Sequence, residues 1–134
     1  MNTGRSYKEL LQEASEAESN DELKKASKFY KEAIKKNPSM EYPYDRLMII
    51  YRKQKNYSSE LKLIEEGIKY FQQQHENKQK ELIGSSKKIA SLSNAFMKSV
   101  GLTDKKGKNV YYPEPVPKWQ KRKQIVEKKI KTNK

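Results

Sequence analysis

Cysteine is absent from the 134 residues, so the chain has no disulfide framework, thiolate metal site or cysteine nucleophile. The single histidine, His75, stands between Gln74 and Glu76 with no second imidazole to complete a metal cluster. Its polar surroundings read as those of a solvated or capping side chain rather than a general base. Glycine is scarce, five in all, and no G-x-x-x-x-G-K-[ST] phosphate loop is present. Paired acids such as Glu65-Glu66 fall among lysines and read as solvation and i,i+4 pairing. No apolar run approaches the roughly 18 residues of a membrane span, and no apolar stretch follows Arg5 to make a secretory signal. The expectation is therefore a protein without enzymatic activity, metal, cofactor or membrane span, in a reducing, cytoplasmic setting.

What is present is charge. The net charge is +13, and it is unevenly spread. Residues 1–75 hold 14 Lys/Arg against 12 Asp/Glu, whereas residues 76–134 hold 16 against 5. A mean hydropathy of -1.15 lies near the polar edge of globular proteins, yet 34% hydrophobic residues and nine tyrosines argue for a folded part. A chain of this length buries one modest core. The division expected is a helical domain over 1–101 and a basic, proline-containing extension over 102–134, whose charge implies an anionic partner.

A shift of 34 residues aligns the first half of the chain with itself. Leu10 falls on Tyr44, Ala14 on Met48, Ala17 on Tyr51, Leu23 on Tyr57, Phe29 on Leu63, Tyr30 on Ile64, Ala33 on Gly67 and Ile34 on Ile68. Tyr44, Leu47, Met48 and Tyr51 recur at i, i+3, i+4 and i+7, one face of a helix. Small residues such as Ala26, Ala33 and Gly67 allow two antiparallel helices to approach closely. An ordinary pair of helical hairpins is the alternative to a true repeat.

The period and residue types resemble the tetratricopeptide repeat, with its pattern W-x2-L-G-x2-Y, then A-x3-F, then P. Tyr44-x2-Leu47-Met48-x2-Tyr51 supplies the first half of that pattern, and Ala26-x3-Tyr30-x2-Ala33 followed by Pro38 supplies the second. Ala14 and Met48 replace the glycine, Glu60 replaces a small residue, and Gln72 stands for the final proline. The resemblance covers about residues 5–72. It implies an all-α fold of antiparallel helix pairs stacked as a short right-handed solenoid, with helices over about 6–19, 22–36, 41–54 and 57–73. A further helix over 76–100, ended by Gly101, is the expected cap, because about three repeats are needed to cover the apolar faces.

In tetratricopeptide-repeat proteins the first helix of each pair lines a groove that receives an extended peptide or a partner helix. The resemblance therefore implies a protein-interaction scaffold, with a groove formed by Tyr42, Asp45, Ile49, Arg52 and Lys53 on the third helix and Leu11 and Ser15 on the first. The lysine and asparagine pattern that clamps a chaperone's terminal carboxylate is missing. The other reading of this face is that Ile49 and Leu11 pack beneath the capping helix.

Two readings of the basic end stay open. Trp119 with Lys121, Arg122 and Lys123 suits stacking and phosphate neutralisation on single-stranded RNA, the alternative function considered; Trp119 also suits anchoring on the helical body, the favoured role. The prolines of Tyr111–Pro117 favour an extended strand. That segment is expected to dock on a groove of its own chain or of a second copy, which would form a homodimer, with Arg52 and Lys53 facing Glu114 and the later lysines projecting.

Overall fold

A computed structural model of the chain describes residues 4–83 and 112–132. Among these residues the fold is all-α, built from α1 (Tyr7–Ser19), α2 (Leu23–Lys36), α3 (Glu41–Lys53), α4 (Tyr57–Ile83) and α5 (Val116–Thr132). Each helix packs against the next in chain order. No helix among the described residues is long and apolar enough to cross a membrane.

Local chemistry sets the helix ends. Ser6 caps α1 by accepting from the Glu9 N–H at 3.1 Å, and Asn56 caps α4 by accepting from the Ser59 N–H at 3.3 Å. Pro43 lies in the first turn of α3, where the missing N–H has no intrahelical partner to lose.

The 34-residue shift reappears in the backbone. After α1, the Asp21 N–H donates to Glu18 O at 3.1 Å and the Glu22 N–H to Ala17 O at 2.8 Å. After α3, Lys55 donates to Arg52 O at 3.0 Å and Asn56 to Tyr51 O at 2.8 Å. Both are Schellman turns, and their left-handed residues, Asp21 (φ 59°) and Lys55 (φ 56°), are equivalent under the shift. Lysine has no local compensation for this conformation. Lys55→Gly is therefore expected to stabilise the fold by about 0.5–1 kcal/mol, read as a higher urea midpoint at unchanged m-value. A lower midpoint would show that the turn is not held in this form.

Burial follows the same shift. Leu10, Ala14, Ala17, Phe29, Tyr30 and Ala33 are buried, and so are Tyr44, Met48, Tyr51, Leu63, Ile64 and Gly67. Leu23, Ile34, Tyr57 and Ile68 border the core in both copies. Trp119 and Val126 of α5 belong to that same apolar core.

Two elements differ from the sequence-based expectation. The fourth helix does not stop at 73 but runs on to Ile83, because residues 74–83 contain neither glycine nor proline and are mostly Gln, Glu and Lys, good helix formers. The helix expected from 76 thus begins as the end of α4, and its remainder, 84–100, with the cap assigned to it, lies outside the described residues. So do Gly101 and Tyr111. The proline segment is not an extended strand from Pro113 to Pro117. Glu114 and Pro115 form a turn, and α5 starts at Val116, where Pro117 sits in the first turn and loses no hydrogen bond.

Candidate functional site

The interaction face predicted on α1 and α3 divides into two sides, which the helical period of α3 separates. One side carries Glu41, Asp45 and Arg52, and α5 lies against it. Trp119 is the anchor, with 1% of its surface exposed. Its ring lies 5.2 Å from Tyr44 and 5.4 Å from Phe71, centroid to centroid, and its Nε1–H donates to Asp45 Oδ1 at 2.8 Å. Gly67 makes room for it: a Cβ at that position would come within 2.8 Å of Trp119 Cζ3. The Trp119 ring is thus unavailable to stack on a base, and the anchoring role is the one its surroundings match.

The basic residues around Trp119 are largely neutralised by acids on the body. Lys118 Nζ pairs with Asp45 Oδ2 at 2.9 Å and also with Glu41. Burial alone would depress this ammonium's pKa, but hydrogen bonds to the two carboxylates raise it above the ordinary lysine value. Arg122 Nε donates to Glu60 Oε2 at 2.8 Å, and Lys123 reaches Glu65 at 3.5 Å. Lys121 is exposed and has no acidic partner among the described residues. These pairings explain why a helix so rich in like charge stands: its repulsion is offset by carboxylates of α3 and α4.

At the centre of this side Glu60 is fully buried, 0% exposed, in the place of the small residue Ala26 of the first copy. Arg52 Nε donates to Glu60 Oε1 at 3.2 Å while Arg122 takes the other oxygen. One carboxylate thus ties α3, α4 and α5 together. Arg52 is engaged here and does not face Glu114, whose carboxylate accepts instead from the Lys118 N–H at 3.2 Å at the start of α5.

The other side of α3 faces α1. Arg46 pairs with Glu18, which also accepts from the Tyr30 hydroxyl at 2.9 Å. Burial would raise the Glu18 carboxyl's pKa, but the hydrogen bonds from Arg46 and Tyr30 outweigh it and hold the group below the usual carboxylate value. Burial, reinforced by Glu18, pushes the Tyr30 hydroxyl well above its ordinary value. Tyr42, half exposed, meets Tyr30 edge to face at 6.4 Å. Ser15 and Lys53 are exposed, and Leu11 and Ile49 are half-buried. Of the seven predicted groove residues, Asp45 and Arg52 serve α5 and α4, while Tyr42, Lys53 and Ser15 remain open.

Farther along α4, His75 is neither a cap nor fully solvated. Its ring meets Tyr112 at 5.6 Å, and Tyr112 donates to Glu76 at 2.6 Å. Burial, then the Glu76 carboxylate, pushes the Tyr112 hydroxyl up to about 12. This contact seats the segment that leads into α5.

Sequence reasoning missed a second surface. Lys24, Lys28, Lys31 and Lys35 form one stripe along α2 at i, i+4, i+7 and i+11, and with Lys55 they line an open groove of about 1070 Å³ between α2 and the α3–α4 turn. The spacing was the available signal. It was hidden because the acids of α1 cancel these lysines when charge is averaged over the first 75 residues. Comparison of the chain with protein-family models, with curated proteins and with solved structures finds no match in any of the three, so the function is argued from this geometry.

Proposed function

We propose that the chain is a helical-repeat interaction module of the tetratricopeptide type, which receives an extended peptide or partner helix on the open face of α1 and α3. The observation that carries this reading is the pair of equivalent Schellman turns, 34 residues apart, with matched burial on both sides of each. Hairpins with coincidental spacing have no reason to share turn geometry and core positions together. Trp119 and Val126 have the same seven-residue spacing and burial as Tyr44 and Tyr51. Contacts of α5 with α4 run in reverse order, from Trp119 on Gly67 to Lys129 over the Tyr57 ring, so the two helices are antiparallel. This supports reading α5 as the first helix of an incomplete third pair and as the cover for the second.

The way α5 is held also suggests how this kind of face takes a helix: one aromatic anchor in a slot, flanked by charge pairs. Next to it, Ser15, Tyr42 and Lys53 offer a polar rim, with Leu11 and Ile49 beneath, the composition of a modest, non-obligate interface. The test is capture of partners from lysate by the full chain and by a folded Ser15→Arg/Tyr42→Ala variant, each with and without nuclease. Proteins retained after nuclease by the wild type and lost in the variant are the expected result. An identical set on both baits would reject this face as the binding surface.

A further inference from the structure

We propose that the groove between α2 and the α3–α4 turn binds the phosphate backbone of a nucleic acid duplex, a function separate from the peptide-binding face. The groove is lined by five lysines, and none of the five forms an ion pair with a carboxylate among the described residues. Glu32 is its one acid. With a rise of about 1.5 Å per helical residue, Lys24 to Lys35 spans roughly 16 Å. A duplex carries one phosphate charge per roughly 1.7 Å of its axis over both strands, so a stripe of this length, four lysines long with Lys55 across the groove, lies within reach of several phosphates.

The other lining groups fit the same ligand. Ser27, Gln54 and Asn56 are neutral hydrogen-bonding side chains of the kind that hold phosphate oxygens beside lysine. The basic strip also continues past the turn: Lys129 of α5 lies over the ring of Tyr57, the residue after Asn56, at 5.7 Å. One cation of the C-terminal helix thus lies beside the turn that borders the groove, although about a hundred residues separate it from the α2 lysines in sequence.

An acidic protein partner fits less well. Protein interfaces depend on buried aromatic or aliphatic anchors and are depleted in lysine. The one ring in this groove, Tyr51, is 8% exposed and lies under the Lys31 ammonium at 5.7 Å. The same lack of an open ring disfavours single strands, which bind by base stacking. A duplex, held through its backbone without sequence preference, needs only the charges and donors present.

The test is fluorescence anisotropy of a short labelled DNA duplex and an RNA duplex of equal length, in separate arms, over a range of KCl concentrations. Binding in either arm, with log K falling against log salt at a slope of about −4, is expected, and the arm that binds identifies the source. Lys28→Gln/Lys31→Gln should reduce that slope by about 2 and weaken binding of every sequence alike. Lys62→Gln/Lys69→Gln removes the same charge from the exposed face of α4 and should leave the slope unchanged. Circular dichroism establishes that both variants are folded. The proposal is overturned by absent or salt-insensitive binding, by equal loss in the α4 variant, or by displacement of the duplex with poly-glutamate at equal charge concentration.

Discussion

Trp119→Ala is expected to destabilise the protein by about 3–5 kcal/mol, the range for truncating a large buried aromatic. Small domains have about 5–15 kcal/mol of stability to lose. The indole has three separate functions: it fills the space left open by Gly67, packs on Tyr44 and Phe71, and satisfies Asp45 through Nε1–H. Alanine leaves a cavity and takes one hydrogen bond from Asp45, whose side chain is 33% exposed and keeps its pairing with Lys118. α5 should come off before the rest unfolds, since apart from this anchor it is held by salt bridges and three smaller apolar residues, Val116, Val126 and Ile130. Limited trypsin digestion reads that directly: early cleavage within 118–131, together with a lower urea midpoint, is the expected outcome. A variant with an unchanged midpoint and a protected α5 would remove Trp119 from the core.

The second large effect is expected at Glu60. Glu60→Ala takes away the fully buried anion between Arg52 and Arg122 and leaves two guanidinium groups facing each other. Breaking a buried ion pair from one side costs about 3–5 kcal/mol. Both arginines keep part of their side chains in solvent, 29% for Arg52 and 24% for Arg122, so they can turn outward and the lower end of the range applies. The diagnostic experiment is the double-mutant cycle with Arg122→Met. Because the second change removes one stranded cation, Glu60→Ala should cost markedly less in that background. Simple additivity of the two losses would mean that the pair is not coupled and that Glu60 is held by its surroundings in some other way.

Glu60 and the landing place of Trp119 also mark where the sequence stops being readable. The face made by Tyr44, Leu47, Met48 and Tyr51 is legible because a period of 3.6 residues is a local property, and the 34-residue shift is legible because it repeats that period. Glu60 is not. An acid on a lysine-rich helix reads as solvated, and what makes its burial possible is Arg122, 62 residues further on. That Trp119 anchors on the body is the reading the sequence favours; where it lands is hidden, because the lysines around it advertise a solvated tail until Glu41, Asp45, Glu60 and Glu65 are brought alongside. Of the interaction face, the helices and their order are visible in the pattern. Which side of α3 is already taken by α5 is not, since that depends on where a helix from the far end of the chain lands. The α2 stripe is the opposite case, a local signal lost by averaging.

Contacts that hold α5 join residues 48 to 77 positions apart, from Phe71–Trp119 to Glu41–Lys118. During synthesis α1 to α4 leave the ribosome first, and at about 5–20 residues per second the stretch from Gly67 to Trp119 takes roughly 3–10 s to make. Over that time the slot between Tyr44 and Phe71 stands unfilled, an apolar notch beside the carboxylates of Asp45 and Glu60. The nascent chain is thus exposed to association with its neighbours for seconds, and closure of the notch by α5 is the event that ends that period.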